Sequence, residues 1–182
     1  MIRLRAIDSC NSELVDSVYE LMNTHPDDAL LRMTRPRGRS RAQVQDLLLK
    51  RELSEDFYYS IEFNSVNDSI LIGLVQGIWN DRVSLTVDVG IVIFNQHQGK
   101  GYGKTALNVF LDNIKNHFNV RKATASIVAS NLTSRALFEG VGFKACGTYR
   151  KHFLMHDHFH DVILYEMFLD SFSRGFSESS AV

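Results

Sequence analysis

The sequence has little of several features that would direct its interpretation elsewhere. Its 182 residues include only two cysteines, Cys10 and Cys146, which are too few and too far apart for a disulfide framework. No apolar run is long enough to span a bilayer, and alternating arginines occupy the N-terminus where a signal peptide would have an apolar core. The formal net charge of −1 gives no overall reason to expect nucleic acid or an anionic membrane as partner. We therefore expect a cytoplasmic protein with reduced thiols.

The composition is that of an ordinary globular protein, with 45% hydrophobic and 23% charged residues. The length fits one domain that buries a sizeable core, and we place this domain at residues 1–170. The serine-rich residues 171–182 are expected to form a flexible tail.

The middle of the chain combines a strand, a glycine-rich turn and a helix. Apolar residues alternate before the turn and recur at helical spacing after it: Leu85, Val87, Val89, Ile91 and Ile93, then Leu107, Phe110, Leu111, Ile114 and Phe118. The turn itself is Gln98-Gly99-Lys100-Gly101-Tyr102-Gly103. Such a turn directs several backbone N–H groups towards one point at a helix N-terminus, where the helix dipole also favours an anion. The pattern therefore predicts a phosphate-binding site.

The glycine spacing excludes two common nucleotide motifs. No Gly-Lys-Ser/Thr follows as in a P-loop, and G-x-G-x-G replaces the G-x-G-x-x-G of dinucleotide-binding proteins. Residues 98–103 instead resemble the Q/R-x-x-G-x-G/A pyrophosphate loop of the GNAT superfamily of N-acetyltransferases, which bind acetyl-CoA. The alternative interpretation is a tight glycine connection between a strand and a helix.

Hydrophobic periodicity along the rest of the chain predicts the element order β-α-α-β-β-β-α-β-α-β-β. This is the order of the GNAT fold, which implies an α+β (α/β sandwich) architecture. Its mixed, mostly antiparallel central sheet would be splayed at the middle and flanked by helices.

A second pair of motifs resembles the same family. Residues 131–143, NLTSRALFEGVGF, resemble its N-x-x-(S/A)-x-x-hydrophobic-(Y/F/E)-x-x-G-F segment. Gly147 and residues 160–165, HDVILY, resemble the G…(Y/H)-x-D-x-x-x-Y ending of one branch. That branch contains the ribosomal-protein N-terminal (RimJ/RimL-like) and spermidine acetyltransferases.

The resemblance implies that an acetyl group moves from acetyl-CoA to a primary amine by direct attack in a ternary complex. The pantetheine arm would pair with the central strand, and a main-chain amide near Val92 could polarise the thioester oxygen. The diphosphate would lie on the glycine turn, with Lys100 or Lys104 near its charge. The implied cofactor-binding residues are Ile91, Val92, Ile93, Gln98, Gly99, Lys100, Gly101, Tyr102, Gly103, Lys104, Asn131 and Phe138. The role of Asn131 is compatible with its acting as a helix N-cap.

Acetyl transfer also needs groups that move protons, because an amine attacks only as its free base. Asp88 occupies the central-strand position where relatives in this branch often carry Glu, so it could accept the proton through a water. The alternative for Asp88 is an exposed strand carboxylate. His97 is the second candidate base, and its alternative is merely to flank the phosphate loop.

The departing thiolate needs a proton in turn. Many GNAT enzymes donate it from a Tyr at the position of Phe138, whose phenyl ring cannot do so. Another residue or water would then protonate the sulfur, or the reaction would proceed without a general acid. This departure favours a protein or peptide N-terminus, or another small amine, over a polyamine. For Tyr149 and Tyr165 we expect core packing.

Two charged clusters leave further functions open. Arginines 32, 35, 37, 39 and 41 could contact an acidic acceptor, the cofactor's 3′-phosphate or rRNA near a ribosomal substrate, although solvated loops are commoner. A cluster rich in histidine straddles a predicted turn and consists of His152, His156, Asp157, His158, His160 and Asp161. Because of this turn we expect no metal site there. Two alternatives to an acetyltransferase remain: an acetyl-CoA-binding module without turnover, and an unrelated RNA- or metal-binding protein. The chain could be a monomer or a homodimer.

Overall fold

A computed structural model of the protein describes residues 1–24, 39–65, 68–155 and 157–169. The strands are β1 (Ile2–Ala6), β2 (Phe57–Asn64), β3 (Ser69–Asp81), β4 (Thr86–Ile93), β5 (Lys122–Val128), β6 (Lys144–Met155) and β7 (His158–Phe168). The helices are α1 (Ser12–Thr24), α2 (Arg41–Glu52), α3 (Tyr102–Phe118) and α4 (Leu132–Val141). The observed order confirms the predicted one. The predicted tail and the arginines at 32, 35 and 37 lie outside the described residues.

The seven strands form one sheet in the order β1-β2-β3-β4-β5-β7-β6. Every neighbouring pair is antiparallel except β4 and β5, whose parallel pairing requires a crossover that α3 supplies. β4 and β5 pair only where Thr86, Val87 and Asp88 face Lys122, Ala123 and Thr124. Beyond Asp88 the two strands separate, which confirms the predicted splay and opens a cleft.

Two apolar layers cover the two faces of the sheet. On one face, α3 buries Leu107, Phe110 and Ile114 against Val87 and Val89 of β4. On the other face, α1 and α2 bury residues of their own against the alternate positions of the central strands: Leu14, Val15, Val18, Val44, Leu48, Leu74 and Val92. The alternation along β4 therefore places its odd-numbered residues towards α3, and its even-numbered residues, including Asp88, towards the opposite face.

The ends of the elements follow from local chemistry. Ser40 caps α2 through a capping box with Gln43, in which each side chain accepts from the other residue's backbone N–H. The predicted central strand began too early, because Leu85 has φ +54° and β4 starts at Thr86. Within the described residues, no helix is both long enough and apolar enough to cross a bilayer.

Candidate active site

The glycine turn has the backbone shape that a helix-terminal anion site requires. Asn95–His97 form a short 3-10 turn, and Gly101 is the N-cap of α3. Gly99 and Gly101 have φ +74° and +78°, in the left-handed region that side chains with a Cβ rarely adopt. A Cβ at either position would meet no atom within 4 Å. Backbone conformation, rather than crowding, therefore selects glycine at these two positions.

This turn forms one side of an outer cleft of about 590 Å³. Its other walls are the end of β4 and the start of α4, so it lies where β4 and β5 diverge. The lining residues include all but two of the predicted cofactor-binding residues: Ile91, Val92, Ile93, Gln98, Gly99, Gly101, Tyr102, Gly103, Lys104 and Asn131. Lys100 is not among them, because its ammonium group donates to the Gln96 carbonyl oxygen at 3.1 Å. Of the two predicted lysines, Lys104 is the one that lines the cleft.

Gln98 connects the turn to the central strand. Its Nε2 donates to the Ile93 carbonyl oxygen at 2.8 Å and to Asn95 Oδ1 at 2.9 Å. These two bonds hold the start of the glycine turn against the last residue of β4. The Gln98 side chain therefore positions the turn as well as contributing to the cleft.

Asn131 marks the opposite wall. Its Oδ1 accepts the Ser134 backbone N–H at 3.0 Å, which confirms that it caps α4. Asn131 lines both the outer cleft and a second, inner cavity of about 300 Å³. The two spaces also share Ile91 and Ser134, so they adjoin one another between β4 and the start of α4.

Asp88 lies in the wall of the inner cavity and is half-buried. The alternative of an exposed strand carboxylate is therefore wrong. Thr124 Oγ1 donates to Asp88 Oδ1 at 3.1 Å and itself accepts from Asn80 Nδ2 at 2.9 Å. Burial raises the pKa of the Asp88 carboxyl, and the Thr124 hydrogen bond opposes part of that shift. A raised pKa makes the carboxylate a stronger base than a solvated aspartate.

His97, the second candidate base, lies elsewhere. It lines the outer cleft beside the glycine turn and does not line the cavity that contains Asp88. Burial and, after it, the positive charge of Lys100 lower the pKa of the His97 imidazole. Its position matches the alternative that it flanks the phosphate loop.

Phe138 also lines the inner cavity, from α4. It is 2% exposed, and its ring packs against that of Phe143 with centroids 4.9 Å apart in an edge-to-face arrangement. Tyr165 lies behind α4 and is buried in the core as expected, where its hydroxyl donates to Glu139 Oε1 at 2.7 Å and accepts from Arg135 Nε at 3.2 Å. This network ties α4 to β7.

Sequence reasoning was wrong about Tyr149 and missed several other residues of the inner cavity. Tyr149 is 50% exposed and lines the cavity instead of packing in the core. Gln76, which is buried, also lines it and pairs with Gly90, where a Cβ would come within 3.3 Å of the Gln76 side chain. The polar Gln76 within the apolar run ILIGLVQGIW was the available indication. Ser126, His152 and Phe153 line the cavity without any such indication.

The histidine-rich hairpin contains no metal-binding arrangement in the part of the chain that the structure describes, which leaves out His156. Asp161 Oδ1 instead accepts the backbone N–H of Lys151 at 2.7 Å. Cys10 and Cys146 are both exposed free thiols.

Comparisons with known proteins agree with this geometry. Vibrio cholerae spermidine N-acetyltransferase, in a crystal structure with CoA and spermine, superposes with a TM-score of 0.80 at 22% identity, covering 92% of this chain and 95% of that one. A chimera of the same enzyme gives a TM-score of 0.77 at 22% identity, with the same coverage. Both confirm the fold.

Sequence comparison gives a shorter match to a curated relative and a longer match to a family. The spermidine N(1)-acetyltransferase of Vibrio cholerae serotype O1 (strain ATCC 39315 / El Tor Inaba N16961) is 30% identical over 92 residues. That match covers 50% of this chain and 53% of the relative, so the chain is matched over only about half of the relative's length. Residues 3–144 match the model of the acetyltransferase (GNAT) domain, a family that uses acetyl-CoA. This match confirms the predicted family and acetyltransferase class: the chain belongs to the acetyltransferase (GNAT) domain family.

Proposed function

We propose that this protein transfers the acetyl group of acetyl-CoA to a primary amine by direct attack in a ternary complex. One observation carries the proposal. β4 and β5 diverge immediately after Asp88, and the gap lies between the glycine turn and a cavity that contains a half-buried carboxylate. A long donor with a charged end and a reactive thioester end fits this arrangement.

The outer cleft would hold the donor. Its diphosphate would accept hydrogen bonds from backbone N–H groups of residues 98–103 at the N-terminus of α3, with the Lys104 ammonium nearby. The pantetheine arm would run along Ile91, Val92 and Ile93, where β4 has no strand partner on the β5 side. Asn131, which lines both spaces, would contact the arm where it enters the inner cavity.

The inner cavity would hold the acceptor. Asp88 would take a proton from the ammonium form of the acceptor through a water, and the free amine would then attack the thioester carbonyl carbon. The attacking nitrogen then gives its extra proton to water, and collapse of the tetrahedral intermediate breaks the C–S bond and releases a thiolate that must be protonated. A main-chain amide near Val92 would stabilise the charge on the oxygen during the attack.

The walls of the inner cavity favour a small amine or a protein or peptide N-terminus. Among the described residues that line it, Asp88 is the only acidic side chain, and half of the others are apolar. An acceptor with one amine and an apolar neighbour fits these walls. A polyamine is the second candidate, because the curated relative and the solved structures are spermidine acetyltransferases.

Thermal unfolding and thiol release test the proposal together. Acetyl-CoA should raise the Tm of the protein, and free thiol should appear with at least one member of a panel of peptides, small amines and polyamines. Asp88→Asn should keep the Tm response and lower kcat near neutrality by about 100-fold. Asp112→Asn, an exposed change on α3, is the matched control and should leave both unchanged.

Each negative result has a distinct meaning. A protein that gives no Tm response to acetyl-CoA contradicts the proposal. A Tm response without thiol release across the whole panel would instead favour a binding module without turnover. Equal kcat for Asp88→Asn and the wild type, both at neutral and at high pH, excludes Asp88 as the base.

The remaining expectations stay predictions. We propose a cytoplasmic location and a monomer or homodimer. The prediction that the protein works near the ribosome was based on the arginines between residues 32 and 41. Of these, the structure describes Arg39 and Arg41. The Arg41 guanidinium makes two bonds to the Asp16 carboxylate, at 2.5 and 3.1 Å, so its charge is already paired on the protein surface.

A further inference from the structure

The hairpin of β6 and β7 contains an irregularity that faces the inner cavity. Tyr149 pairs with Val162 and Phe153 with His160, so β6 has two more residues than β7 between these pairs. Lys151, inside the bulge, has φ +47° and donates its backbone N–H to Asp161 Oδ1 at 2.7 Å. A buttressed bulge of this kind re-aims side chains at a defined point of the strand.

The consequence of the bulge is the placement of His152 beside Tyr149, the last regularly paired residue before it. In a regular strand, residues three apart point to opposite faces of the sheet. Here the two rings lie side by side, with centroids 4.8 Å apart and planes at 36°, and both line the inner cavity. Asp88 and Phe138 line the same cavity from β4 and α4. β6 therefore adds a phenol and, through the bulge, an imidazole to the space where the acceptor would react.

We propose that Tyr149 protonates the departing CoA thiolate, in place of the tyrosine that Phe138 replaces on α4. This inference rests on the proposed acetyl transfer. As the C–S bond breaks, its electron pair goes to sulfur, and the Tyr149 O–H proton passes to that sulfur. The phenolate regains a proton from water, which reaches it because the side chain is 50% exposed.

Chemistry favours Tyr149 over the other hydroxyl groups of the cavity. An ordinary phenol is a weaker acid than an ordinary thiol by less than about two pKa units, so the transfer of its proton to a thiolate is only modestly uphill. Ser126 and Ser134 also line the cavity, but an alkyl hydroxyl is a much weaker acid. The titratable groups that share the cavity with Tyr149 are Asp88 on β4 and His152 on β6. His152 acts as a positioning residue, since it packs on the ring of Tyr149.

The test compares Tyr149→Phe with the wild type in the thiol-release assay. We expect kcat to fall by about 100-fold, with the acceptor KM and the acetyl-CoA Tm response unchanged. Tyr19→Phe is the matched control, because Tyr19 is 40% exposed on α1 and lies in neither cavity. Adding Phe138→Tyr to Tyr149→Phe should restore kcat by supplying a phenol from α4.

Several outcomes would overturn the inference. An unchanged kcat and pH profile for Tyr149→Phe would exclude Tyr149 as the donor, as would a raised acceptor KM with unchanged kcat, which indicates only a binding wall. A fall in kcat for His152→Gln, with Tyr149→Phe unaffected, would assign the proton to the imidazole. A wild type that binds acetyl-CoA but releases no thiol refutes the proposed function itself, which separates that failure from an error about Tyr149.

Discussion

Gly101 and Gly140 offer a paired test of why glycine occupies the phosphate turn. An added Cβ would meet no atom within 4 Å at either position, so neither substitution to alanine creates a clash. They differ in backbone conformation: Gly101 has φ +78° at the N-cap of α3, whereas Gly140 lies inside α4 without a positive φ. Without ligand, any difference in stability between Gly101→Ala and Gly140→Ala therefore reports backbone conformation alone.

The expected effects have opposite signs. Alanine in the left-handed region costs about 1–2 kcal/mol, so Gly101→Ala should lower the free energy of unfolding by that amount. Alanine replacing glycine within a helix stabilises it by about 0.5–1 kcal/mol, so Gly140→Ala should raise the free energy of unfolding. For a chain of this size 1 kcal/mol shifts Tm by about 2–4 °C. We expect Tm to fall by about 2–8 °C for Gly101→Ala and to rise by about 1–4 °C for Gly140→Ala.

Ligand binding separates the two variants further. Gly101 lines the outer cleft, and a methyl group there would occupy the space in which the diphosphate would lie. The acetyl-CoA Kd of Gly101→Ala should rise at least about tenfold, which corresponds to about 1.4 kcal/mol. Differential scanning fluorimetry with and without acetyl-CoA measures both effects. Tm shifts of the same sign, or an unchanged acetyl-CoA response in Gly101→Ala, would refute the reasoning about this turn.

Three further changes test the site. Burial raises the pKa of Asp88 above its value in the unfolded chain, so the ionised carboxylate lowers the stability of the fold at a pH above the folded pKa. Asp88→Asn should therefore raise Tm at pH 8. An equal rise in Tm at a pH below the ordinary carboxyl pKa would contradict this. Asn131→Ala should cost about 1 kcal/mol of stability and weaken acetyl-CoA binding, whereas Asn131→Ser should keep the α4 cap and lose only binding, both measured by Tm with ligand. Tyr165→Phe should cost about 1–3 kcal/mol in urea unfolding, by removing the bonds to Glu139 and Arg135, with the acetyl-CoA Kd unchanged.

The donor half of the candidate site was readable from the sequence because it is built from contiguous residues. β4, the glycine turn and the start of α3 follow one another in the chain, and the turn uses backbone N–H groups whose geometry needs Gly99 and Gly101. Asn131 is similarly local, since it caps the helix that it starts. Local periodicity and turn chemistry were therefore sufficient for the order of elements and the glycine turn, whereas the splay and the cleft were predicted from the family resemblance.

The acceptor half could not be read in the same way, because it depends on pairing between distant residues. Tyr149 faces the cavity beside its partner Val162 on the next strand, and the bulge that Asp161 holds in β6 brings His152 next to it. A strand pattern alone places Tyr149 in the core, and no local rule predicts where the register shifts. Gln76 likewise gains its place from Gly90 on the neighbouring strand, where the absence of a Cβ leaves room for the amide.

This division has a consequence for how the two halves can change. The outer cleft is fixed by backbone conformation in one segment, whereas the inner cavity draws side chains from β3, β4, β5, α4 and β6. Substitutions on β6, such as at Tyr149 or His152, can alter the acceptor chemistry without moving the glycine turn. In this chain α4 presents Phe138 to the cavity, while β6 presents the phenol of Tyr149. A donor site held in common by the family is therefore compatible with a rearranged proton path and a different acceptor.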